Sequence, residues 1–439
     1  MRDLAIILIV FGMLPFVFKR PWLGIMMWAW ISVMNPHRLS WGFAYDFPFA
    51  LIIAVVTIIS LFIKKERLSF PWSAAPVLLL LFVLWMNVTT LFAMVPAEAY
   101  EQWDKVMKIM LMTFITLLAI DEKRHIDWLI WVLALSLAFY GIKGGIFTLR
   151  GGGTDLVWGP PGTFIEDNNH LAVALVMSIP LLWYLRGRLD KRWMRWGLVG
   201  VMGLCAMAAL GSYSRGALLC LTAMAGFLWL KSRQKFQLAI FVCLLAPAMI
   251  VFMPDQWYVR MDTIVNYDTD SSAIGRINAW QTAFNIAKDH PLVGGGFQLY
   301  EPQVFAKYAP NPEDLHAAHS IYFAALGEHG FIGLALFLMF GVATWRTGTW
   351  IVKRSKSRPD LRWAMDLALM VQVSLVGYAV GGAFLSILYF DLPYYLMAVL
   401  VLLKEHVRRT LAAKPAPSQL QPQAVLVTPL QLDNPVVKM

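Results

Sequence analysis

Gly275-Arg276-Ile277-Asn278-Ala279-Trp280-Gln281-Thr282-Ala283-Phe284-Asn285-Ile286-Ala287-Lys288 lies inside the one long polar stretch of this chain, residues 253–318. Ile277, Trp280, Phe284 and Ala287 recur at helical spacing, so the run reads as an amphipathic helix. Ser271 and Ser272 stand just upstream as caps, which puts Arg276 in the first turn. The same stretch carries Arg260, a glycine turn at Gly294-Gly295-Gly296, and His316, and it ends where His319 opens the next apolar segment. It cannot sit in a bilayer, whereas nearly everything on either side can. That contrast predicts membrane helices before and after a partly helical segment folded over the membrane surface.

Composition agrees. Of 439 residues 59% are hydrophobic and 15% charged, with a mean hydropathy of +0.60. Soluble domains hold about 45–50% apolar and about 25% charged residues, so the departure is toward a polytopic membrane protein. The 19 Trp and 27 Phe fit membrane interfaces. A net charge of +10 is explained by basic cytoplasmic loops, and no nucleic-acid recognition motif accompanies it. Cys205, Cys220 and Cys243 lie in apolar segments and read as small buried hydrophobes. The first apolar run lacks a small-residue cleavage site and reads as a retained anchor.

A spanning helix needs about 20 apolar residues. Candidate spans are 4–18, 21–34, 47–63, 74–94, 106–120, 128–149, 171–185, 197–210, 217–230, 236–252, 320–342, 363–388 and 393–403, giving 12 or 13 crossings. Basic groups gather at 64–67, 123–124, 186–195, 231–235, 353–362 and 404–409, alternating with loops poor in Lys and Arg. By the positive-inside rule the basic loops and the C-terminus are inside. Loops 150–170 and 211–216 and the stretch 253–318 are then outside, in the periplasm of a bacterium. The Pro/Gln/Ala-rich tail has little to bury and reads as disordered.

The chemistry-bearing residues sit on that outer face. Arg215 falls in the tight turn Gly211-Ser212-Tyr213-Ser214-Arg215-Gly216. An Arg at a helix end ordinarily snorkels to the interface, but the positive-inside rule disfavours one on this side, and its small neighbours allow a ligand to approach. A guanidinium suits phosphate through paired hydrogen bonds. Arg276 is either a solvated surface cation or, with an anion bound at the helix N-terminus, a ligand. His319 has an unperturbed pKa near neutrality and can serve as general base. His316 and His319 form half of a zinc pattern, but no third ligand follows at zincin spacing, so we expect no metal and no cofactor. Arg150 opens the glycine-rich outer loop, whose Asn168-Asn169-His170 either caps the next helix or lines the site. Asp289-His290-Pro291-Leu292-Val293-Gly294-Gly295-Gly296 reads as a structural turn, without the Gly-Lys-Ser/Thr of a phosphate loop.

Ser-Arg-Gly-Ala at 214–217, Gly-Arg-x-x-x-Trp at 275–280, His-Pro-Leu-x-Gly-x-Gly at 290–296, His-Ser-x-Tyr at 319–322 and Glu-His-Gly-Phe-Ile-Gly at 328–333, in that order between late membrane segments, resemble the O-antigen ligase/polymerase superfamily. Gly-Thr-Phe-x-x-x-Asn at 162–168 fits the same pattern. The closer likeness is to O-antigen ligases and the O-glycosylation ligases found with exosortase systems. It covers 150–345 well, and the first 130 residues resemble an extension typical of that subgroup. Ser320 stands where relatives often have Asn.

The resemblance implies an all-α polytopic inner-membrane protein of about 12 transmembrane helices with a partly helical periplasmic segment between late helices. We divide the chain into N-terminal membrane helices (1–130), central helices (131–252), the periplasmic segment (253–318), C-terminal helices (319–403) and a disordered cytoplasmic tail (404–439). The implied activity is metal-independent transfer of a polysaccharide from undecaprenyl diphosphate to a sugar hydroxyl of the lipid A core on the periplasmic face. His319 would deprotonate the acceptor, and Arg215 and Arg276 would hold the diphosphate. Arg150, Asn168, His316 and Arg260 are the expected substrate-binding residues. The partners are then the lipid-linked polysaccharide, the lipid A-core acceptor and membrane lipid, with no nucleic acid. The alternatives are an O-antigen polymerase, a protein O-oligosaccharyltransferase and, in a different class, a lipid or glycan transporter. Transporters place their ionisable sites at mid-membrane rather than at one face.

Overall fold

The computed structural model describes residues 2–63, 69–231, 249–262 and 271–412, together with Phe236, Cys243 and Pro247. Among these residues the protein is all-helical. Helices α1 (Arg2–Lys19), α2 (Pro21–Met34), α3 (Phe49–Ile63), α4 (Ala74–Thr90) and α5 (Pro96–Ala119) form the N-terminal part. Next come α6 (Lys123–Arg150), α7 (Asn168–Arg186), α8 (Arg192–Gly211) and α9 (Arg215–Lys231). The polar stretch contributes α10 (Asp255–Asp262), α11 (Ser271–Asp289) and α12 (Pro302–Tyr308). The chain closes with α13 (Ile321–Ser355), α14 (Arg362–Gly381) and α15 (Asp391–Ala412).

Among the described residues five helical stretches are long and apolar enough to cross a membrane: Lys123–Arg150, Asn168–Arg186, Arg192–Gly211, Ile321–Ser355 and Pro359–Phe384. The sequence predicts about twelve. Helices Pro21–Met34, Phe49–Ile63 and Ala74–Thr90 are apolar but shorter; at 1.5 Å per residue they fall short of an about 30 Å hydrocarbon core. The expected span at 236–252 and the basic groups at 64–67 and 233–235 lie largely or wholly outside the described residues. Large apolar side chains such as Phe62, Leu84, Leu135 and Phe331 face outward, as lipid contact requires.

Helix α15 is the hub. Residues 391–403 are buried without a break, which marks a helix enclosed on all sides rather than one with a polar face. It packs against α2, α4, α5, α6, α13 and α14. It also runs on to Ala412, so the first residues of the expected disordered tail are helical; 413–439 lie outside the described residues.

The glycine turn after α11 wedges into a break in α13. At Gly330 φ is 68° and ψ is −171°, inside an otherwise continuous helix. The carbonyls freed by the break accept from the turn: Gly295 N–H donates to Gly327 O and Gly296 N–H to Glu328 O, both at 2.9 Å. In return Phe331 N–H donates to Pro291 O at 2.9 Å. Thus the expected structural turn repairs the helix it interrupts. A Cβ on Gly330 would meet Leu292 O at 2.3 Å, in a backbone region reserved for glycine. Gly330→Ala is expected to cost about 3 kcal/mol or more, read as a lowered melting temperature and a loss of monodisperse purified protein. A melting temperature equal to wild type would refute this account of the break.

Beside the break, Glu328 and His329 join a buried network. The Tyr389 hydroxyl donates to Glu328 Oε2 at 2.5 Å and lies 2.7 Å from His329 Nε2. His329 Nδ1 lies 2.8 Å from Thr89 Oγ1 on α4, and Trp85 Nε1 donates to the His329 carbonyl at 3.0 Å. The Glu-His-Gly motif therefore ties the C-terminal helices to the N-terminal part.

Candidate functional site

Helix α11 builds a shelf for the loop that carries His319. Asn278 Nδ2 donates to the carbonyls of Asn311 (2.8 Å) and Asp314 (3.0 Å), while its Oδ1 accepts from Asn311 N–H (3.0 Å). Two residues further on, Trp280 stacks flat on Phe323, with centroids 5.0 Å apart, and donates Nε1–H to Ala318 O at 2.6 Å. Gly275 leaves room for the His316 ring; a Cβ there would meet its Nδ1 at 2.5 Å. His316 Nδ1 lies 2.6 Å from Asp314 Oδ1. The spacing of Gly275, Asn278 and Trp280 thus fixes both ends of one loop.

His319 follows that loop with a left-handed backbone, φ 42°. This conformation is costly for a residue with a Cβ, and such outliers gather at functional sites. Its ring stands 6.2 Å, centroid to centroid, from that of His170. Its Nδ1 is buried and makes no hydrogen bond, as does Nε2 of His170. Burial first, then the positive charge of Arg276 and the nearby His170 and His316, push the His319 pKa down to about 4, against an opposing pull from Asp167. The imidazole is therefore neutral at physiological pH and able to accept a proton.

Asp167, rather than the Asn-Asn-His cluster, caps α7: its carboxylate accepts from the backbone N–H of Asn169 (2.8 Å) and His170 (3.3 Å). That leaves Asn168 for another task. Its Nδ2 donates to Ser212 O at 2.6 Å, anchoring the turn from which Arg215 opens α9. The buried bond holds two segments far apart in sequence. Asn168→Ala should remove it, leave Ser212 O unsatisfied at about 1–3 kcal/mol, and let the Arg215 turn drift. We expect about tenfold weaker transfer by a variant that still folds. Full activity would show that the turn needs no anchor.

Ser271 is already helical, so Arg276 stands beyond the first turn of α11. A cation there is little opposed by the helix dipole, whose field fades within the first turn. Arg276 is half-buried and acts electrostatically on both His319 and His170. Arg150 ends α6 and is exposed. Its loop joins the Arg215 turn through the Tyr213 hydroxyl, which donates to Gly153 O at 2.7 Å. Arg260 is exposed on α10, which docks on the same turn through Trp257 Nε1–H to Leu210 O at 3.1 Å. The structure thus draws His319, His316, Arg276 and His170 into one cluster, ties the Arg215 turn to it through Asn168, and leaves Arg150 and Arg260 at the turn's outer edge. Among the described residues no group of three or more His, Cys, Asp or Glu is arranged as a metal site.

His170 is the participant that sequence reading undervalued. It was visible only as the end of a polar cluster, although a His in the first turn of a helix bordering an outer loop is itself a signal.

A cavity of about 580 Å³ opens beside the cluster and reaches it through His170 and Ala317. Its far wall comes from the N-terminal part, including Arg38, Lys105 and Lys108.

Two family matches divide the chain near this boundary. Residues 1–189 match a family described as "Family of unknown function (DUF5935)". Residues 200–338 match the family described as "O-Antigen ligase". No curated protein matches the chain. The second match contains Arg215, Arg276 and His319, whereas Asn168 and His170 come from the first.

Proposed function

We propose, for a membrane protein whose residues 200–338 belong to the O-antigen ligase superfamily, that it transfers a glycan from a polyprenyl diphosphate, undecaprenyl diphosphate in bacteria, to a sugar hydroxyl of the lipid A core. The observation that carries this reading is a neutral, half-buried His319 held in a left-handed backbone beside the Arg276 guanidinium. A proton acceptor next to a fixed cation is what the reaction needs. The acceptor oxygen attacks the anomeric carbon of the donor sugar, and its proton passes to His319. The bond from that carbon to the diphosphate oxygen breaks, and the electron pair leaves with the diphosphate. Arg276 and Arg215 meet the charge that develops there, and fixed cations in a site shielded from water are effective at this. His316, held against Asp314 and Gly275, and Arg150 and Arg260 around the Arg215 turn extend the donor contacts, while Asn168 holds that turn in place.

The alternation of basic and neutral loops supports a periplasmic site in the inner membrane. No step in this scheme requires a metal.

The test is transfer with purified protein, undecaprenyl diphosphate-linked glycan and a lipid A-core acceptor in the presence of EDTA. Formation of the conjugate is the expected result. Lengthening of the glycan on its own lipid carrier would replace the ligase reading with a polymerase, and activity only after a divalent metal is restored would overturn the metal-free scheme.

A further inference from the structure

The cavity lies between two parts of the chain with different family matches. His170 and Ala317 form its inner edge, and His319 is two residues beyond Ala317. Neither Arg215 nor Arg276 lines it. The guanidinia assigned to the diphosphate therefore lie outside the cavity wall, which leaves the chamber to another part of the substrates. The substrate without the diphosphate is the acceptor.

The chamber is polar in a particular way. Arg38 lies in the connection between α2 and α3, and Lys105 and Lys108 lie near the middle of α5. Arg38 stacks on the Tyr45 ring, 4.6 Å from its guanidinium carbon, and lies beside Gly162 of the outer loop, where an added Cβ would be 3.6 Å from that carbon. Its carboxylate contact, Asp46 Oδ1 at 3.3 Å, is long and involves an exposed partner. Lys105 and Lys108 pair with Glu101 and Asp104 one turn back on the exposed helix surface. Such exposed pairs are weak and yield readily to a ligand. Deeper in, Glu328 and Asp391 supply carboxyl groups that accept hydrogen bonds. Two imidazole nitrogens of the lining residues, His37 Nδ1 and His170 Nε2, are buried without a hydrogen-bond partner. Buried polar atoms are rarely left so, and a ligand rich in hydroxyls would satisfy them. The volume matches that of a small-ligand site.

We propose that this cavity is the acceptor chamber and that Arg38, Lys105 and Lys108, all from the N-terminal part, select an acceptor sugar bearing negative charge. The inference rests on the reading that His319 takes the acceptor proton. Cations near the entrance meet a phosphate or carboxylate on the glycan, while its hydroxyls reach the histidines and carboxyls further in. The N-terminal part would then be the specificity element of the enzyme.

Binding separates this proposal from the activity. Full-length protein in nanodiscs is titrated calorimetrically, without donor, with a phosphorylated oligosaccharide, its dephosphorylated form, and a uronic-acid oligosaccharide of the same length. The phosphorylated or the uronic sugar should bind about tenfold or more tightly than the neutral one, as charge-assisted hydrogen bonds require. Which of the two binds tells phosphate from carboxylate. Arg38→Gln with Lys105→Gln should erase the preference, and Lys105→Gln alone, on an exposed helix face, should reduce it without touching the fold. Equal affinity for charged and neutral sugars, or a preference surviving in the double variant, overturns the proposal. In the transfer assay the double variant should raise KM for the acceptor and leave KM for the donor unchanged; the reverse pattern means that the chamber holds the donor. A protein that binds anionic sugar with this selectivity but transfers nothing would keep the chamber and refute the ligase reading.

Discussion

His319→Ala is expected to lower transfer by about 10²–10⁴-fold, the span that a positioned general base contributes, with expression and membrane insertion unchanged. The pH profile carries the sharper test. A base works when deprotonated, so activity falls as pH drops through its pKa. With His319 held at about 4 by burial and by Arg276, His170 and His316, the acid limb of kcat/KM for the donor should lie near pH 4 rather than at the ordinary histidine value. Once the diphosphate is bound, its negative charge offsets Arg276 and favours the protonated imidazole. The limb of kcat, which reports the enzyme–substrate complex, should therefore sit at higher pH than that of kcat/KM. Wild-type rates from His319→Ala, or coincident limbs near pH 6.5, would exclude this histidine as the base.

Arg276→Ala should cost about 10²–10³-fold in kcat, the usual loss when one donor to a developing charge is removed. It should also act on the histidine. Removing a positive charge that disfavours the imidazolium raises the His319 pKa, so the acid limb of kcat/KM should move to higher pH. Arg276→Lys retains the charge but not the planar fork, and should keep the limb near its wild-type position while recovering only part of the rate. Arg215→Ala should lose transfer to a similar degree. A variant at either position that ligates normally has no role in holding the diphosphate. An unmoved limb in Arg276→Ala would mean that burial alone sets the base.

The helices were largely legible as sequence because a bilayer demands long apolar runs and a helix demands its spacing. The amphipathic run through Arg276, the turn at 290–296 and the start of the helix after His319 follow from local pattern, and all three appear. Local pattern was less secure at the boundaries. Ser271 and Ser272 are helical rather than caps, and the last helix extends to Ala412 because charged and apolar residues continue to alternate at helical spacing past the buried segment. Periodicity shows that a helix exists better than it shows where the helix begins or ends.

Arg215, Arg276 and His319 could be chosen from the sequence, since a cation or a histidine at the outer end of a membrane helix stands out against its apolar neighbours. What those residues touch could not. Asn168 reaches Ser212 across 44 positions, His329 meets Thr89 across 240, and the ring of His170, in the first turn of α7, comes beside that of His319, just ahead of α13. Such pairings arise when separate helices bury their apolar faces together, and no local period encodes them. The same holds for the chamber, where Arg38 and Lys105 matter only because the N-terminal helices are folded against Tyr389 and Glu328. The sequence by itself determined a helical membrane protein with a polar segment and named the residues able to carry charge and protons. Only the tertiary structure decided which of them share one site, because that depends on long-range packing around α15 and on the glycine break at Gly330.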